Sequence, residues 1–130
     1  MRYLVDTDWV IDYMHGASEL VACFDRFLPE GIGLSIISLA ELYEGIYRSG
    51  TRRSDEKRLS NFLSFVDVLP LDDAICRIFA EERSRLRVAG LMIADFDLLI
   101  GSTAISHHLV LLTNNRRHFE RIEGLDIVSV

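Results

Sequence analysis

Cysteine is scarce in this sequence, which holds only Cys23 and Cys76 in 130 residues. The two lie far apart in apolar surroundings, and neither belongs to a CxxC pair or to a Cys/His spacing that binds zinc. The four histidines likewise form no i, i+4 pair on one helix, which disfavours a zinc site. Such cysteines are typical of buried, reduced thiols in the cytosol, so we expect no disulfide.

Long apolar runs are also missing. Hydrophobic residues make up 49% of the chain, but no segment approaches the roughly 20 consecutive apolar residues of a membrane span. The N-terminus has no basic segment leading into a long apolar one, as an export signal would. The length is near the mode for one domain. We therefore expect a single domain over residues 1–130 that is soluble and cytoplasmic and makes no membrane contact.

Lysine is nearly absent, because 13 of the 14 basic residues are arginine. The net charge of −6 excludes a protein that holds nucleic acid through an overall positive field. A nuclease is not excluded, since arginine forms forked contacts with phosphate. The basic residues are also clustered locally, at residues 52–58, 83–87 and 116–118.

Short apolar runs alternate with segments of helical spacing. The runs predicted as strands are residues 3–5, 34–37, 66–70, 109–112 and 127–130. This alternation favours a three-layer α/β/α sandwich with a mainly parallel sheet of about five strands. Ligands bind such sheets at the carboxyl ends of the strands, so polar residues at those ends are candidate site residues.

Two acids follow predicted strands. Asp6 stands directly after the first strand, and Glu41 lies one turn beyond the second, where it would project toward the same edge of the sheet. Glu41 also has a purely structural interpretation, because Ser38 and Glu41 have the S-x-x-E spacing of a capping box. The sequence leaves both interpretations of Glu41 open.

Asp97 is the third candidate acid. Asp95 is a reasonable N-cap, which places Asp97 in the first turn of a helix, where the dipole favours even a solvated carboxylate. The rest of that helix is too apolar to be exposed, and Gly101 and Ala104 share a face with Asp97. We expect these small residues to let the helix lie against a strand and to carry Asp97 to the strand's end.

The fourth predicted strand ends in a Thr-Asn-Asn turn, from Thr113 to Asn115. The turn fits ordinary cap chemistry, but it also falls at the candidate edge. If the first, second and fourth strands are neighbours, the turn and the three acids converge on one pocket. Carboxylates so close repel one another, and a hard cation such as Mg²⁺ or Mn²⁺ makes them tolerable. This chemistry suggests metal-dependent hydrolysis of a phosphodiester.

Four motifs resemble a known family. They are YLVDTD, SLAELYEG, the pattern G-x-x-I-x-x-x-D-x-L-I-x-x-x-A over residues 90–104, and L-x-T-N-N-x-x-x-F-x-x-I-x-G-L over residues 111–125. In order and spacing they span nearly the whole chain, which resembles PIN-domain proteins of the VapC toxin type. The resemblance implies an endoribonuclease with an acidic triad of Asp6, Glu41 and Asp97. It also implies that Asp6 and Asp97 bind Mg²⁺ or Mn²⁺ directly.

The same resemblance implies an RNA substrate, a small antitoxin protein of the VapB kind and a homodimer. Many family members carry aspartate where this chain has Asn115, so the site here is less negative. Asn115 can still bind an ion through its carbonyl, and Thr113 can orient a neighbouring acid. Asp8 and Asp95 are extra acids, which we interpret as capping residues or as outer partners of the ligands.

Two other protein classes also fit the first motif. LVDTD resembles the D-x-D opening of haloacid-dehalogenase phosphatases, with Asp6 as nucleophile and Asp8 as acid. An acidic pocket on such a sheet also fits a non-enzymatic receiver module that accepts phosphate. Both resemble families that place a lysine near the phosphate, and Lys57 has no obvious route to the pocket. The receiver further needs an aspartate where this chain has Leu69 and Pro70.

Overall fold

The computed structural model describes all residues from 1 to 130, and its centre is a five-stranded sheet. The strands are β1 (Tyr3–Val5), β2 (Ile32–Ser35), β3 (Asp67–Leu69), β4 (Val110–Leu112) and β5 (Ile127–Val128). Every strand pair is parallel, and the order across the sheet is β3-β2-β1-β4-β5. The predicted parallel sheet of about five strands is confirmed.

Seven α-helices connect and cover these strands. They are α1 (Thr7–Met14), α2 (Ser18–Phe27), α3 (Ile36–Tyr47), α4 (Arg52–Leu63), α5 (Asp73–Ala89), α6 (Asp95–Ser106) and α7 (Arg116–Phe119), with a 3₁₀ turn at Leu28–Glu30. None of these helices is both long enough and apolar enough to cross a membrane.

The sheet is packed on both faces. Successive residues of a strand point to opposite faces, so Tyr3 and Val5 join the apolar cluster formed with α1 to α4, whereas Leu4 joins the cluster formed with α5 and α6. All three residues of β1 are buried, as expected for a central parallel strand. The predicted three-layer α/β/α architecture is therefore confirmed.

The strand order fixes where a ligand would bind. β1 is flanked by β2 on one side and β4 on the other, so the chain builds one half of the sheet outward from β1 and then returns to start the other half. Crevices form at the carboxyl ends of the strands where the order reverses in this way. The convergence of the predicted acids required β1, β2 and β4 to be neighbours, and the structure confirms this condition.

The predicted boundaries of β2, β3, β4 and β5 differ from the observed ones by one or two residues, and two differences, at β2 and at the start of α6, bear on the site. β2 ends at Ser35 and not at residue 37, because Ser35 caps α3 by accepting a hydrogen bond from the N–H of Ile37. The apolar residues that follow favour a strand locally, but a serine cap and the packing of α3 outweigh that preference. α6 begins at Asp95, with Ala94 in the cap position. Asp95 instead accepts a hydrogen bond from Arg83 at 2.9 Å.

Two further features differ from expectation. The sequence did not predict α7, which has only four residues and is too short to show a helical period. Both cysteines are free, as expected, but neither is fully buried, because Cys23 is partly exposed and Cys76 on α5 is exposed.

The small-residue face of α6 packs at Gly101 against the C-terminal segment and not against a strand. A Cβ at Gly101 would collide with Cδ1 of Ile122, and it would touch Leu125 and Phe119 at 3.6 and 3.7 Å. The missing side chain therefore allows close contact between α6 and the segment that follows α7. Small residues permit a close approach here, and the neighbour at Gly101 is this segment, although α6 also packs against β4 as predicted.

This packing predicts that Gly101→Ala destabilises the fold. Overpacking costs about 1–3 kcal/mol, and the helical preference of alanine returns up to about 1 kcal/mol, so urea unfolding should show a net loss of about 1–2 kcal/mol. Gly45→Ala in α3 is the matched control, because nothing lies within 4 Å of a Cβ there. The control should be neutral or stabilising, and equal effects of the two substitutions would contradict the packing.

Candidate active site

The carboxylate of Asp6 is buried at the carboxyl end of β1, with 4% of the residue exposed. Its Oδ1 accepts a hydrogen bond from the backbone N–H of Thr7 at 2.8 Å, and its Oδ2 accepts one from Thr113 Oγ1 at 2.7 Å. Asp6 is also the N-cap of α1. The predicted role of Thr113 in orienting a neighbouring acid agrees with this contact.

Burial raises the pKa of Asp6 to about 6. The hydrogen bonds from Thr113 and Thr7 lower this pKa, whereas the negative charges of Asp8 and Asp97 raise it further. Loss of hydration outweighs two good hydrogen bonds, because both oxygens are removed from water while other acids lie nearby. The site therefore disfavours the ionised carboxylate unless a positive charge joins it.

Glu41 is held by a hydroxyl network. Oγ1 of Thr7 donates to Oε1 of Glu41 at 2.8 Å and lies 2.9 Å from Oγ of Ser38. A hydroxyl has one proton, so the Ser38 hydroxyl donates to Thr7 when Thr7 donates to Glu41. The capping-box interpretation of Ser38 and Glu41 is wrong, because α3 begins two residues earlier and Ser35 is its cap.

The environment of Glu41 resembles that of Asp6 in kind. Burial raises the pKa of Glu41, the hydrogen bond from Thr7 lowers it, and the charges of Asp97, Asp8 and Glu44 raise it. Burial and neighbouring negative charges thus disfavour the ionised form of both carboxylates, which follow different strands. Both gain from a nearby cation.

Asp97 lies in the first turn of α6, as predicted. Its Oδ2 lies 3.1 Å from Nδ1 of His118, and its charge raises the pKa of Asp6, Asp8 and Glu41. The structure therefore brings Asp6 and Glu41 each into electrostatic reach of Asp97 at one edge of the sheet.

Asn115 belongs to the turn that connects these acids. Its backbone N–H donates to Thr113 Oγ1 at 3.0 Å, and Nδ2 of its side chain lies 3.2 Å from Nδ1 of His118. The turn between β4 and α7 thus touches Asp6 through Thr113 and reaches Asp97 through His118. Asn115 is brought to the site as predicted.

The two extra acids have different surroundings. Asp8 borders an open cleft of about 580 Å³, which Asp12 and Asn115 also line. Asp95 lies at the surface in an ion pair with Arg83. Asp8 is therefore beside the site, whereas the observed partner of Asp95 is the arginine of α5.

Three residues that shape the site were not predicted as its members. The sequence pattern predicts only a capping box for Ser38 and only a motif position for Thr7. It places His118 in a basic cluster. The one available signal for His118 was its position three residues beyond Asn115, on a turn that leaves a strand's carboxyl end. For Thr7 the signal was its position between two acids.

The donors present fit a hard divalent cation. Such ions prefer carboxylate oxygens, and Mg²⁺ binds through one or two carboxylates while it keeps several waters. No three His, Cys, Asp or Glu side chains lie close enough to enclose an ion. The carboxylates would supply part of the coordination sphere of such an ion, and water and a substrate phosphate would supply the rest.

Comparison with known proteins agrees with this geometry. The family model described as PIN domain matches residues 3–125. Ribonuclease VapC1 of Methanocaldococcus jannaschii is 33% identical over 130 residues, which covers 97% of this chain and 86% of the relative. The tRNA(fMet)-specific endonuclease VapC of Shigella flexneri is 34% identical over 127 residues, which covers 96% of this chain and 95% of the relative.

A solved structure gives the same result. The crystal structure of VapBC2 from Rickettsia felis bound to a DNA fragment from their promoter is similar to this chain with a TM-score of 0.94 and 28% identity, and the match covers 100% of this chain and 99% of that one. The family model, both relatives and the solved structure each match nearly the whole chain. The chain therefore belongs to the PIN-domain family, within its VapC group of ribonucleases.

Proposed function

We propose that this chain is a divalent-metal-dependent endoribonuclease that hydrolyses RNA phosphodiester bonds as the toxin of a toxin–antitoxin pair. The observation that carries the proposal is the buried Asp6 carboxylate, which lies in electrostatic reach of Asp97 at the carboxyl end of the central strand. The names of the relatives support the reaction, since one is a ribonuclease and another a tRNA-specific endonuclease.

Each acid has a role in this proposal. Asp6 and Asp97 hold Mg²⁺ or Mn²⁺, and Asn115 lies beside them with an amide oxygen to offer. A bound ion would neutralise the charge that develops on the phosphate oxygens during hydrolysis. Thr7 holds Oε1 of Glu41, so Oε2 is the oxygen available to accept a proton from the attacking water.

We assign the contacts with the RNA backbone to individual arginine side chains, because a chain with a net charge of −6 has no overall positive field. On α7, Arg116 is paired with Glu120, whereas Arg117 is exposed beside His118. The guanidinium of Arg117 lies on the helix that leaves the site, where it can bind a phosphate next to the scissile one.

We also propose a small antitoxin as partner and a homodimer as the assembly. The solved structure with the TM-score of 0.94 is a VapBC complex, which supports the partner. Large apolar side chains, among them Tyr43 and Tyr47 on α3, are exposed, and such side chains supply surface for protein contacts.

The phosphatase and receiver alternatives are not favoured. Lys57 is exposed on α4, and β3 ends at Leu69 without an acid. Both oxygens of Asp6 accept hydrogen bonds, from Thr7 and Thr113, which suits a fixed ligand better than an attacking nucleophile. The full-length matches already place the chain in the PIN-domain family.

The first prediction concerns Asp97. Asp97→Asn should lower the rate of metal-dependent RNA cleavage by at least about 100-fold, since even outer partners of metal ligands are worth about 10- to 100-fold. Circular dichroism and thermal unfolding should show the fold intact. Asp95→Asn is the matched control, an acid two residues away that is paired with Arg83, and it should cleave normally. Full activity of Asp97→Asn would remove the proposed role.

The second prediction concerns Asp6 and pH. Because the folded protein binds the Asp6 proton more tightly than the unfolded chain does, the metal-free wild type loses stability as pH rises from about 4 through about 6. Asp6→Asn lacks this ionisation, so above that window it should exceed the wild type by up to about 3 kcal/mol in free energy of unfolding. Below pH 4 the difference should shrink.

The same stability measurement, repeated with Mg²⁺ or Mn²⁺, tests whether an ion offsets the charge of Asp6. Mg²⁺ or Mn²⁺ at 100 times its dissociation constant should stabilise the wild type by about 2.7 kcal/mol, and it should stabilise Asp6→Asn much less. A wild type that is unmoved by either ion and by EDTA, or a stability difference that does not change with pH, would contradict the electrostatic account of Asp6.

The third prediction concerns the partner. The chain recovered from its native host at natural abundance should carry one small protein in stoichiometric amount, and the complex should cleave RNA more slowly than the chain alone. Asp97→Asn is the control, because it changes one partly exposed carboxylate and leaves the exposed apolar side chains of α3 in place, so it should recover the same partner. Recovery of the chain with no bound protein would contradict the toxin–antitoxin assignment while leaving the nuclease intact.

A further inference from the structure

The contact between His118 and Asp97 has no role in the function proposed so far. His118 Nδ1 lies 3.1 Å from Asp97 Oδ2 and 3.2 Å from Asn115 Nδ2. The imidazole side chain is 41% exposed, and the side chain of Asp97 is 21% exposed. The ring is thus fixed on one side by the site and open to solvent on the other.

One nitrogen cannot satisfy both of these neighbours. A protonated Nδ1 donates to Asp97, and it then has no lone pair for an N–H of Asn115. An unprotonated Nδ1 accepts from Asn115, and its lone pair then faces the carboxylate of Asp97. Two changes remove the conflict. The amide of Asn115 can turn to present its oxygen, since its two ends have nearly the same shape, or a cation beside Nδ1 and Oδ2 can attract both lone pairs. The turned amide also presents an oxygen to such a cation.

The spacing also suits a shared ion. Metal–ligand bonds of about 2.1 Å that meet at right angles leave the two ligand atoms about 3.0 Å apart. Asp97 Oδ2 and His118 Nδ1 lie 3.1 Å apart. A neutral imidazole carries its hydrogen on either nitrogen, so Nδ1 is free to bind an ion when the hydrogen is on Nε2.

The side of the site formed by Asp6 is different in chemistry. The backbone N–H of Thr7 and the hydroxyl of Thr113 hold Asp6. The side-chain atoms that Asp6, Glu41 and Thr113 offer as ligands are all oxygen. Oxygen ligands suit Mg²⁺ and Mn²⁺ alike, whereas an imidazole nitrogen favours transition ions, whose affinity rises from Mn²⁺ toward Ni²⁺ and Cu²⁺. A nitrogen ligand at His118 would therefore make the site bind Mn²⁺ more tightly than Mg²⁺, a difference that the acids alone do not produce.

We propose that His118 is a metal ligand that acts with Asp97 and makes the site select Mn²⁺ and later divalent transition ions over Mg²⁺. This inference rests on the proposed metal site at Asp97, and it adds the identity of one ligand and the class of ion.

The test is electron spin echo spectroscopy of the Mn²⁺-loaded protein, together with calorimetric titration of Mn²⁺ and Mg²⁺. The wild type should show modulation from a directly bound nitrogen, and His118→Gln should lose it, because glutamine offers only an amide oxygen. The ratio of Mg²⁺ to Mn²⁺ dissociation constants should fall by at least about tenfold in His118→Gln, as outer partners alone are worth about 10- to 100-fold. His107→Gln, at the exposed end of α6, should match the wild type in both measurements.

Three results would overturn the proposal. They are nitrogen modulation that persists in His118→Gln, Mn²⁺ binding to the wild type without such modulation, and equal weakening of both ions, which would mean that His118 only orients Asp97. Failure of the underlying metal site looks different. In that case Asp97→Asn would bind Mn²⁺ as tightly as the wild type, whereas failure of this inference alone leaves binding dependent on Asp97.

Discussion

A carboxylate kept from water at the end of the central strand is the constraint on which the rest of the site depends. β1 is buried on both faces, so the residue that follows it cannot reach solvent freely, and Asp6 is almost fully buried. Its two oxygens are occupied by Thr7 and Thr113. These bonds fix the direction of the carboxylate, but they do not compensate its burial, since the pKa of Asp6 remains raised to about 6. Such an arrangement disfavours the ionised carboxylate and favours a positive charge nearby.

Threonine hydroxyls join this central acid to elements that are distant in sequence. Thr113 brings the β4 end to Asp6, and Thr7 brings α3 and Glu41 to the start of α1. Each contact connects two parts of the sheet edge that the strand order has already made neighbours. The acids therefore do not depend on flexible loops for their positions, which is what a site that orients an ion and a phosphate requires.

The α7 turn gives the site a composition that the acids alone would not have. It carries Asn115 and His118 to Asp97, so one side of the site offers an amide and an imidazole where the other offers carboxylate and hydroxyl oxygens. The turn itself is short, and its position is fixed by the packing of Phe119 and Ile122 into the layer formed with α6. The missing side chain of Gly101 allows that packing. A contact in the apolar core thus fixes the position of His118 at the edge of the sheet where the strands end.

The sequence by itself determined the layer architecture and the position of each acid along the chain. Buried parallel strands are continuous apolar runs that carry their polar residues at their ends, so Asp6 is recognisable as a site candidate from local pattern. Asp97 is recognisable for another reason, because it stands in the first turn of an otherwise apolar helix. Only the tertiary structure decided what each acid touches. Glu41 bonds to Thr7 and not within a capping box, and His118 meets Asp97 through a four-residue helix that has no local signature. Local periodicity reports burial and direction within one element, whereas these partners lie on elements that meet only when the sheet forms.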